Sequence, residues 1–233
     1  MTERIKAITI TLLKRIPFLA VLADEELSEL ERVISVRRFL KNESILLEDN
    51  TPDYMYIIYS GSVKVIQSSA EGKEHILAIH KQGDFFGEMS LLDGRTAPAS
   101  VVAMENVDIG FLSKEDFKIY LLSKGNVIKE LNSMLCSRLR ESWLKVRVLS
   151  FTDAEQKIRA VLKLLSEQKG IKDMRGTIIS LRLTHQDIAD YSALSRETVT
   201  RTLDRLLKED EIEILDNRNI LVKPAFFKKT PLL

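Results

Sequence analysis

From Asn126 to about Ser150 the chain carries neither glycine nor proline, and Ile128, Leu131, Leu135, Leu139, Trp143, Val146 and Leu149 recur at steps of three or four. That period predicts one long helix with an apolar stripe down one side. At about seven turns it is longer than a small β-domain can cover. Part of the stripe is therefore expected on its own barrel and the surplus against a twin, in a homodimer. Arg138, Ser142 and Lys145 interrupt the stripe at heptad-related positions. Polar groups there cost stability unless a ligand or a partner chain pairs them. The helix also divides the chain, giving expected boundaries of 1–125, 126–151 and 152–233.

Ahead of the helix, five of the nine glycines (Gly61, Gly72, Gly83, Gly87 and Gly94) fall in one short region, between segments rich in Ile, Val, Tyr and Phe. This is the pattern of many short strands joined by turns. "YMYIIYSGSVKVI" reads as a mostly apolar strand, a Ser60-Gly61 turn, then Val63, Lys64 and Val65 alternating in and out. "SAEGKEHILAI" supplies a polar loop around Glu71 to Lys73 and a strand starting near Glu74. A compact antiparallel barrel or double sheet from about Ile16 to Leu112 fits best. The opening segment to about Lys14 reads as a short amphipathic helix, and "ADEELSELERVI" as a second.

With 45% hydrophobic and 30% charged residues over 233 positions, the composition is that of a globular chain of two domains. No apolar run approaches the roughly 18 residues a membrane span requires, and the start has no signal-peptide core, so a cytoplasmic protein with no membrane partner is expected. The single Cys136 rules out an internal disulfide, and the scattered His75, His80 and His185 argue against a dedicated metal site, so no metal is expected. No nucleophile with a neighbouring base and no glycine-rich nucleotide loop is present, so an enzyme is not expected. The net charge is +1, with +2 from Asp153 onward and −1 before it. That asymmetry is too small to indicate nucleic acid, and such a reading must rest on local geometry.

Local geometry is what the last third supplies. In "FTDAEQKI", Thr152 and Glu155 have capping-box spacing, which predicts a new helix from there to about Lys169. "GIKDMRGTIISLRL" can hold short strands. "LTHQDIADYSALSRETVTRTLDRLLKE" then contains two capped helices in succession, Thr184 capping the first with Asp187 at its third position and Ser195 capping the second. Ile188, Ala189 and Leu194 supply an inner face, and Val199, Leu203 and Leu206 continue it. Arg196, Glu197, Thr200 and Arg201 project to the other side, near the amino end. Charged faces are usually just solvated. Here the short turn, the planar donors and a following hairpin "IEILDNRNILVKP" together match a winged helix-turn-helix, whose second helix enters the major groove.

"LSRETVTRTLDRL", a Gly-Glu loop at "GEMSLLDG", the long helix between them and the order of parts resemble the cyclic-AMP receptor protein and fumarate-nitrate regulator (Crp/Fnr) family of bacterial transcription factors, over nearly the whole chain. The resemblance implies an α+β fold: an N-terminal antiparallel double-stranded β-helix (jelly-roll) domain that binds an effector, a dimerisation helix and a C-terminal winged helix-turn-helix. It implies that Arg196, Glu197 and Arg201 touch bases and that Ser195, Thr198 and Gln186 touch phosphates, with Thr200 and Thr184 beside them. Arg can donate twice to guanine, Glu can accept from cytosine, and hydroxyls at a helix start can bind phosphate oxygens. Palindromic DNA with TGTGA-like half-sites and RNA polymerase are the implied partners. Two positions depart from the pattern: Ala193 stands where relatives often carry glycine, and His185 replaces a basic neighbour.

The family's phosphate cassette resembles "GEMSLLDG" followed by an Arg-Ser-Ala arrangement. Gly87 and Glu88 match its start, the acid being the group that accepts the ribose hydroxyl. Aligned on the shared "ASV", Ala97 stands at the phosphate-binding arginine and Pro98 at the serine or threonine, with Met89 and Ala99 flanking. A guanidinium on a phosphate is a charge-assisted bond worth roughly 1.5 to 3 kcal/mol. A cyclic nucleotide held in the usual way is therefore not expected, and the effector is left as an unknown small molecule. Arg95 is read as a solvent-facing loop residue, with an inward swing as the alternative. Ser142 matches a threonine that relatives use for adenine, and Trp143 follows where a small polar residue is expected, favouring a flatter, more apolar ligand or a filled space. Two other functions stay open: a haem or redox sensor using His75, His80 or Cys136, and a cyclic-nucleotide-binding regulatory module without DNA.

Overall fold

The computed structural model describes residues 10–69, 72–216 and 218–230. Most of the expected opening helix and the loop residue Glu71 lie outside these. The chain forms two compact units, one ending at Leu139 and the other beginning at Arg140.

Among the described residues of the first unit, eight strands form two antiparallel four-stranded sheets. The strands are β1 (Ser35–Phe39), β2 (Ser44–Leu46), β3 (Tyr54–Ser60), β4 (Ser62–Ser68), β5 (Glu74–Lys81), β6 (Phe85–Phe86), β7 (Ser100–Ala103) and β8 (Val107–Ser113). One sheet has the order β1-β8-β3-β6 and the other β2-β7-β4-β5. This is the antiparallel roll expected from the glycine-punctuated region.

Strand β3 shows why its sequence does not alternate. Tyr56 and Ile58 join Leu46, Val63, Phe86, Val101, Val107, Ile109 and Phe111 in a core drawn from both sheets. Met55 and Ile57, on the opposite face, pack with Leu13, Ile16, Phe18, Leu27 and Leu30 of the helical layer. A strand buried on both faces reads as a continuous apolar run.

Helix α1 (Asp24–Val33) falls within the expected "ADEELSELERVI" segment, and the Glu26 carboxylate accepts from the Ala23 N–H at 2.8 Å. Short helices α2 (Glu88–Asp93) and α3 (Lys114–Asp116) follow, the latter running into a π-helical segment, Phe117–Leu122. Helix α4 then spans Gly125–Leu149. Its first half buries Val127 and Leu131 against the roll's helical layer, with Met134 and Leu135 partly covered.

The second unit contains the rest of α4, then α5 (Ala154–Lys169), α6 (His185–Ser192), α7 (Arg196–Lys208) and α8 (Pro224–Lys229). The antiparallel sheet has the order β11-β12-β10-β9 and comprises β9 (Gly170–Asp173), β10 (Gly176–Ile179), β11 (Ile212–Ile214) and β12 (Ile220–Val222). One expectation is corrected here. Helix α5 is capped by Asp153, whose Oδ1 accepts from the Gln156 N–H at 2.8 Å, and not by Thr152. Asp is as good a cap as Thr, and the choice frees Glu155 for an ion pair described below. Among the described residues no helix is long and apolar enough to cross a membrane.

Gly61 and Gly87 are among the glycines that the geometry requires. Gly61 makes the β3–β4 turn at φ 79°, and a Cβ there would lie 2.8 Å from the Asn106 carbonyl oxygen. Gly87 opens the cassette helix at φ 84°, where a Cβ would lie 2.7 Å from the Tyr56 ring and 2.9 Å from the Tyr54 carbonyl oxygen. Gly94 has φ 74° with nothing within 4 Å. Left-handed backbone alone costs an L-residue about 1–2 kcal/mol, and Gly87 adds the collision. Urea unfolding should therefore show Gly94→Ala losing about 1 kcal/mol and Gly87→Ala losing at least twice that.

Candidate nucleic-acid interface and effector pocket

The helix pair α6–α7 is built by its caps. Thr184 Oγ1 accepts from the Asp187 N–H at 3.0 Å while Asp187 Oδ2 accepts from the Thr184 N–H at 2.8 Å, completing a capping box. Ser195 Oγ accepts from the Thr198 N–H at 3.2 Å and lies 3.0 Å from Thr198 Oγ1. The turn between the helices passes through Ala193 at φ 54°, a left-handed position occupied by a residue that pays for its Cβ.

Helix α7 is sharply two-sided. Val199, Leu203 and Leu206 are completely or almost completely buried. Arg196, Glu197 and Arg201 are exposed, and Thr200 is half-buried beside them. Glu197 sits below the usual carboxylate range, first because its own backbone N–H bonds it and then because the Ser195 hydroxyl does, with Arg196 and Arg201 adding to the effect. The face therefore presents two guanidinium groups and one ionised carboxylate to solvent. Gln186 is exposed and its amide is held by Asp190 at 2.7 Å.

A charge network that the sequence reading missed fixes this helix in place. Arg159 on α5 is 3% exposed and Glu211, just after α7, is 1% exposed. They pair at 2.5 Å, and Arg159 Nε also donates to Glu155 at 2.8 Å. Glu155 in turn pairs with Arg205 of α7, and Lys229 of α8 lies 2.7 Å from the other Glu211 oxygen. Burial pushes the Glu211 carboxyl up, but hydrogen bonds from Arg159 and Lys229 outweigh it and hold the group below its ordinary value. The available signal was Arg159 itself, standing among Ile158, Ala160, Val161 and Leu162 with Glu155 four residues earlier.

At its far end α4 touches the helix pair. Lys145 Nζ lies 3.6 Å from the centre of the Tyr191 ring, a cation–π contact. Burial pulls the Lys145 ammonium down to about 7. The other departure from the family pattern, His185, places Nδ1 2.8 Å from Thr200 Oγ1.

In the roll, Gly87 and Glu88 begin α2, and Glu88 is 2% exposed. Its carboxylate is paired within the unit: Arg138 Nη1 donates to Glu88 Oε1 at 2.6 Å, while Nη2 donates to the Phe85 carbonyl at 2.7 Å. The guanidinium lies 4.2 Å from the Phe85 ring centre. Arg138, one of the polar residues interrupting the helical stripe, thus has its partner in the roll. Ala97 and Ala99 are buried, whereas Met89, Arg95 and Pro98 are exposed. Both backbone groups of Ala97 are spent on the β2–β3 connection, its N–H donating to Asn50 at 2.7 Å and its carbonyl accepting from Asp49 at 2.9 Å. The Arg95 N–H donates to Asp93 Oδ1 at 3.0 Å. Tyr56 and Phe86 stack at 4.8 Å behind the cassette, with Phe111 edge-on to Tyr56 at 5.1 Å. Ser142 and Trp143 belong to the second unit and are exposed there. Among the described residues no group of three His, Cys, Asp or Glu side chains could hold a metal ion.

A two-sheet roll with a Gly-Glu cassette, followed by a long helix, a capped helix pair and a hairpin wing, defines a class: transcription regulators with a cyclic-nucleotide-binding-like domain and a helix-turn-helix. Comparison with known proteins agrees. Residues 36–124 match the family described as "Cyclic nucleotide-binding domain", and residues 181–210 match "Bacterial regulatory proteins, crp family". The chain is 32% identical over 203 residues to the cyclic AMP receptor protein of Thermus thermophilus, covering 87% of this chain and 90% of that one. It is 26% identical to the anaerobic regulatory protein of Bacillus subtilis, covering 86% and 85%. The fold is shared with FixK2 from Bradyrhizobium japonicum at a TM-score of 0.75 and 21% identity, covering 86% of this chain and 99% of that one. The chain belongs to the Crp/Fnr family of bacterial transcription regulators, and its relatives are regulators, not enzymes.

Because Glu88 is sealed in the roll while Arg138 is partly open, removing the arginine leaves a buried carboxylate unpaired. Arg138→Ala should cost about 3 kcal/mol in urea unfolding. Glu88→Gln should cost less, and the double variant less than the two single losses together.

Proposed function

We propose that this regulator works as a homodimer that reads palindromic DNA with TGTGA-like half-sites. Arg196, Glu197, Arg201 and Thr200 face the bases, and Ser195, Thr198, Gln186 and Thr184 face the phosphates. The observation that carries this reading is the two-sided α7. Its apolar side is sealed and its capped amino end presents exposed planar donors beside an ionised acceptor, the arrangement that discriminates bases in a major groove. Support for the dimer comes from apolar side chains left open along α4: Ile128, Leu139, Trp143, Val146 and Leu149 are 37%, 51%, 63%, 67% and 36% exposed. Such a seam suits a second copy of the same helix. RNA polymerase is the partner such a regulator addresses, in the cytoplasm.

The roll is proposed to serve a small effector other than a cyclic nucleotide bound in the manner that names the Thermus relative. Three phosphate donors are missing from the cassette. Ala97 has no side-chain donor, Pro98 has no N–H, and the Ala97 N–H already serves Asn50. Arg95 is exposed, and the Glu88 carboxylate is held by Arg138.

Gel-shift titration should show Arg196→Ala weakening the preferred site by roughly 1 to 3 kcal/mol and relaxing choice at one base pair. Equal losses on random DNA would contradict base reading. Calorimetric titration with cyclic AMP and cyclic GMP should show no tight binding, and a submicromolar constant dependent on Arg95 would overturn the effector reading.

A further inference from the structure

We propose that His185 is a positioning residue for base recognition. It turns the Thr200 hydroxyl so that its oxygen, and not its proton, faces the groove, and α7 thereby gains a preference for a base carrying an amino group. The inference rests on the DNA-reading role of α7 and assigns a role to a residue outside the set expected to touch DNA.

Thr200 stands four residues after Arg196, three after Glu197 and one before Arg201, on the exposed side of the helix. A helical threonine ordinarily turns its hydroxyl back to the carbonyl one turn earlier. Here Oγ1 lies 2.8 Å from Nδ1 of His185, the first residue of α6. The capping box of α6 and the Ser195 cap of α7 hold the two backbones, so the contact spans two fixed frames. A β-branched side chain has few rotamers, and a bond at Oγ1 selects one of them.

A hydroxyl has one proton and two lone pairs. Donating to an unprotonated Nδ1 gives that proton a protein acceptor and leaves the lone pairs for the groove. The reverse direction would turn the Thr200 proton to the groove, where it would favour guanine O6 or thymine O4 instead, so the base preferred at that position reports which direction holds. An outward-facing oxygen accepts from adenine N6 or cytosine N4 and finds no donor on guanine O6 or thymine O4.

The test is selection of bound sequences from random DNA by the full chain and by Thr200→Val, His185→Ala, His185→Asn and the double variant Thr200→Val/His185→Ala. The expected wild-type result is one position per half-site favouring adenine or cytosine on the contacted strand by about 3- to 10-fold, the range of one hydrogen bond. Thr200→Val and His185→Ala should each flatten that position and leave the Arg196-dependent position intact. The double variant should be no flatter, and His185→Asn, which keeps a side-chain polar group near Nδ1, should restore part of the preference. Retention of the other positions in each variant shows that it is folded. A palindrome with that position unchanged in His185→Ala, or one favouring guanine or thymine there, overturns the proposal. Enrichment of no sequence by the wild type overturns the base-reading role itself, and this proposal with it.

Discussion

The helix-turn-helix unit depends on burying the Arg159 guanidinium. A charge removed from water must find partners of opposite sign in good geometry or it is expelled. Arg159 finds two, Glu155 on its own helix and Glu211 after α7, while Glu155 reaches on to Arg205 and Glu211 to Lys229. Apolar contacts between α5, α6 and α7 would tolerate some sliding, because burial has no direction. Paired charges do not, since a shift of an ångström or so leaves a carboxylate unmatched. The network thus fixes the angle at which α7 leaves the core, and with it the direction in which Arg196, Glu197 and Arg201 point.

The roll follows the same logic at a different site. The Glu88 carboxylate is buried at the start of α2, and Arg138 supplies the matching charge while also satisfying the Phe85 carbonyl. A phosphodiester is best held by a guanidinium and further hydrogen-bond donors. Here a buried alanine and a proline stand at the cassette's end, and the neighbouring backbone is tied to Asp49 and Asn50. The acid is held in place and the far end of the cassette is closed by main-chain bonds.

Features that repeat with a local period, or that lie within one turn, were legible in the sequence. The glycine spacing indicated the roll, the three-and-four repeat indicated α4, and Thr184 and Ser195 marked the starts of α6 and α7 because a cap and its target are three residues apart. Even so, adjacent candidates compete, and Asp153 caps α5 where Thr152 was expected. Side-chain pairs between elements were not legible. Glu88 and Arg138 are 50 residues apart in the chain, Arg159 and Glu211 are 52 apart, and His185 and Thr200 are 15 apart. No local pattern connects such pairs. Arg138 stood out as a polar break in an apolar stripe and His185 as a replacement for a basic residue, while Arg159 went unremarked. Each anomaly was resolved by a partner on another element.

The most direct measurement is of binding to half-sites in which single guanines are replaced by 7-deazaguanine, which removes one acceptor from the major groove without altering pairing. Affinity should fall at one guanine per half-site, and that sensitivity should disappear in Arg196→Ala. Uniform affinity across all substituted sites, or the same sensitivity with and without the arginine, would contradict the claim that α7 reads bases.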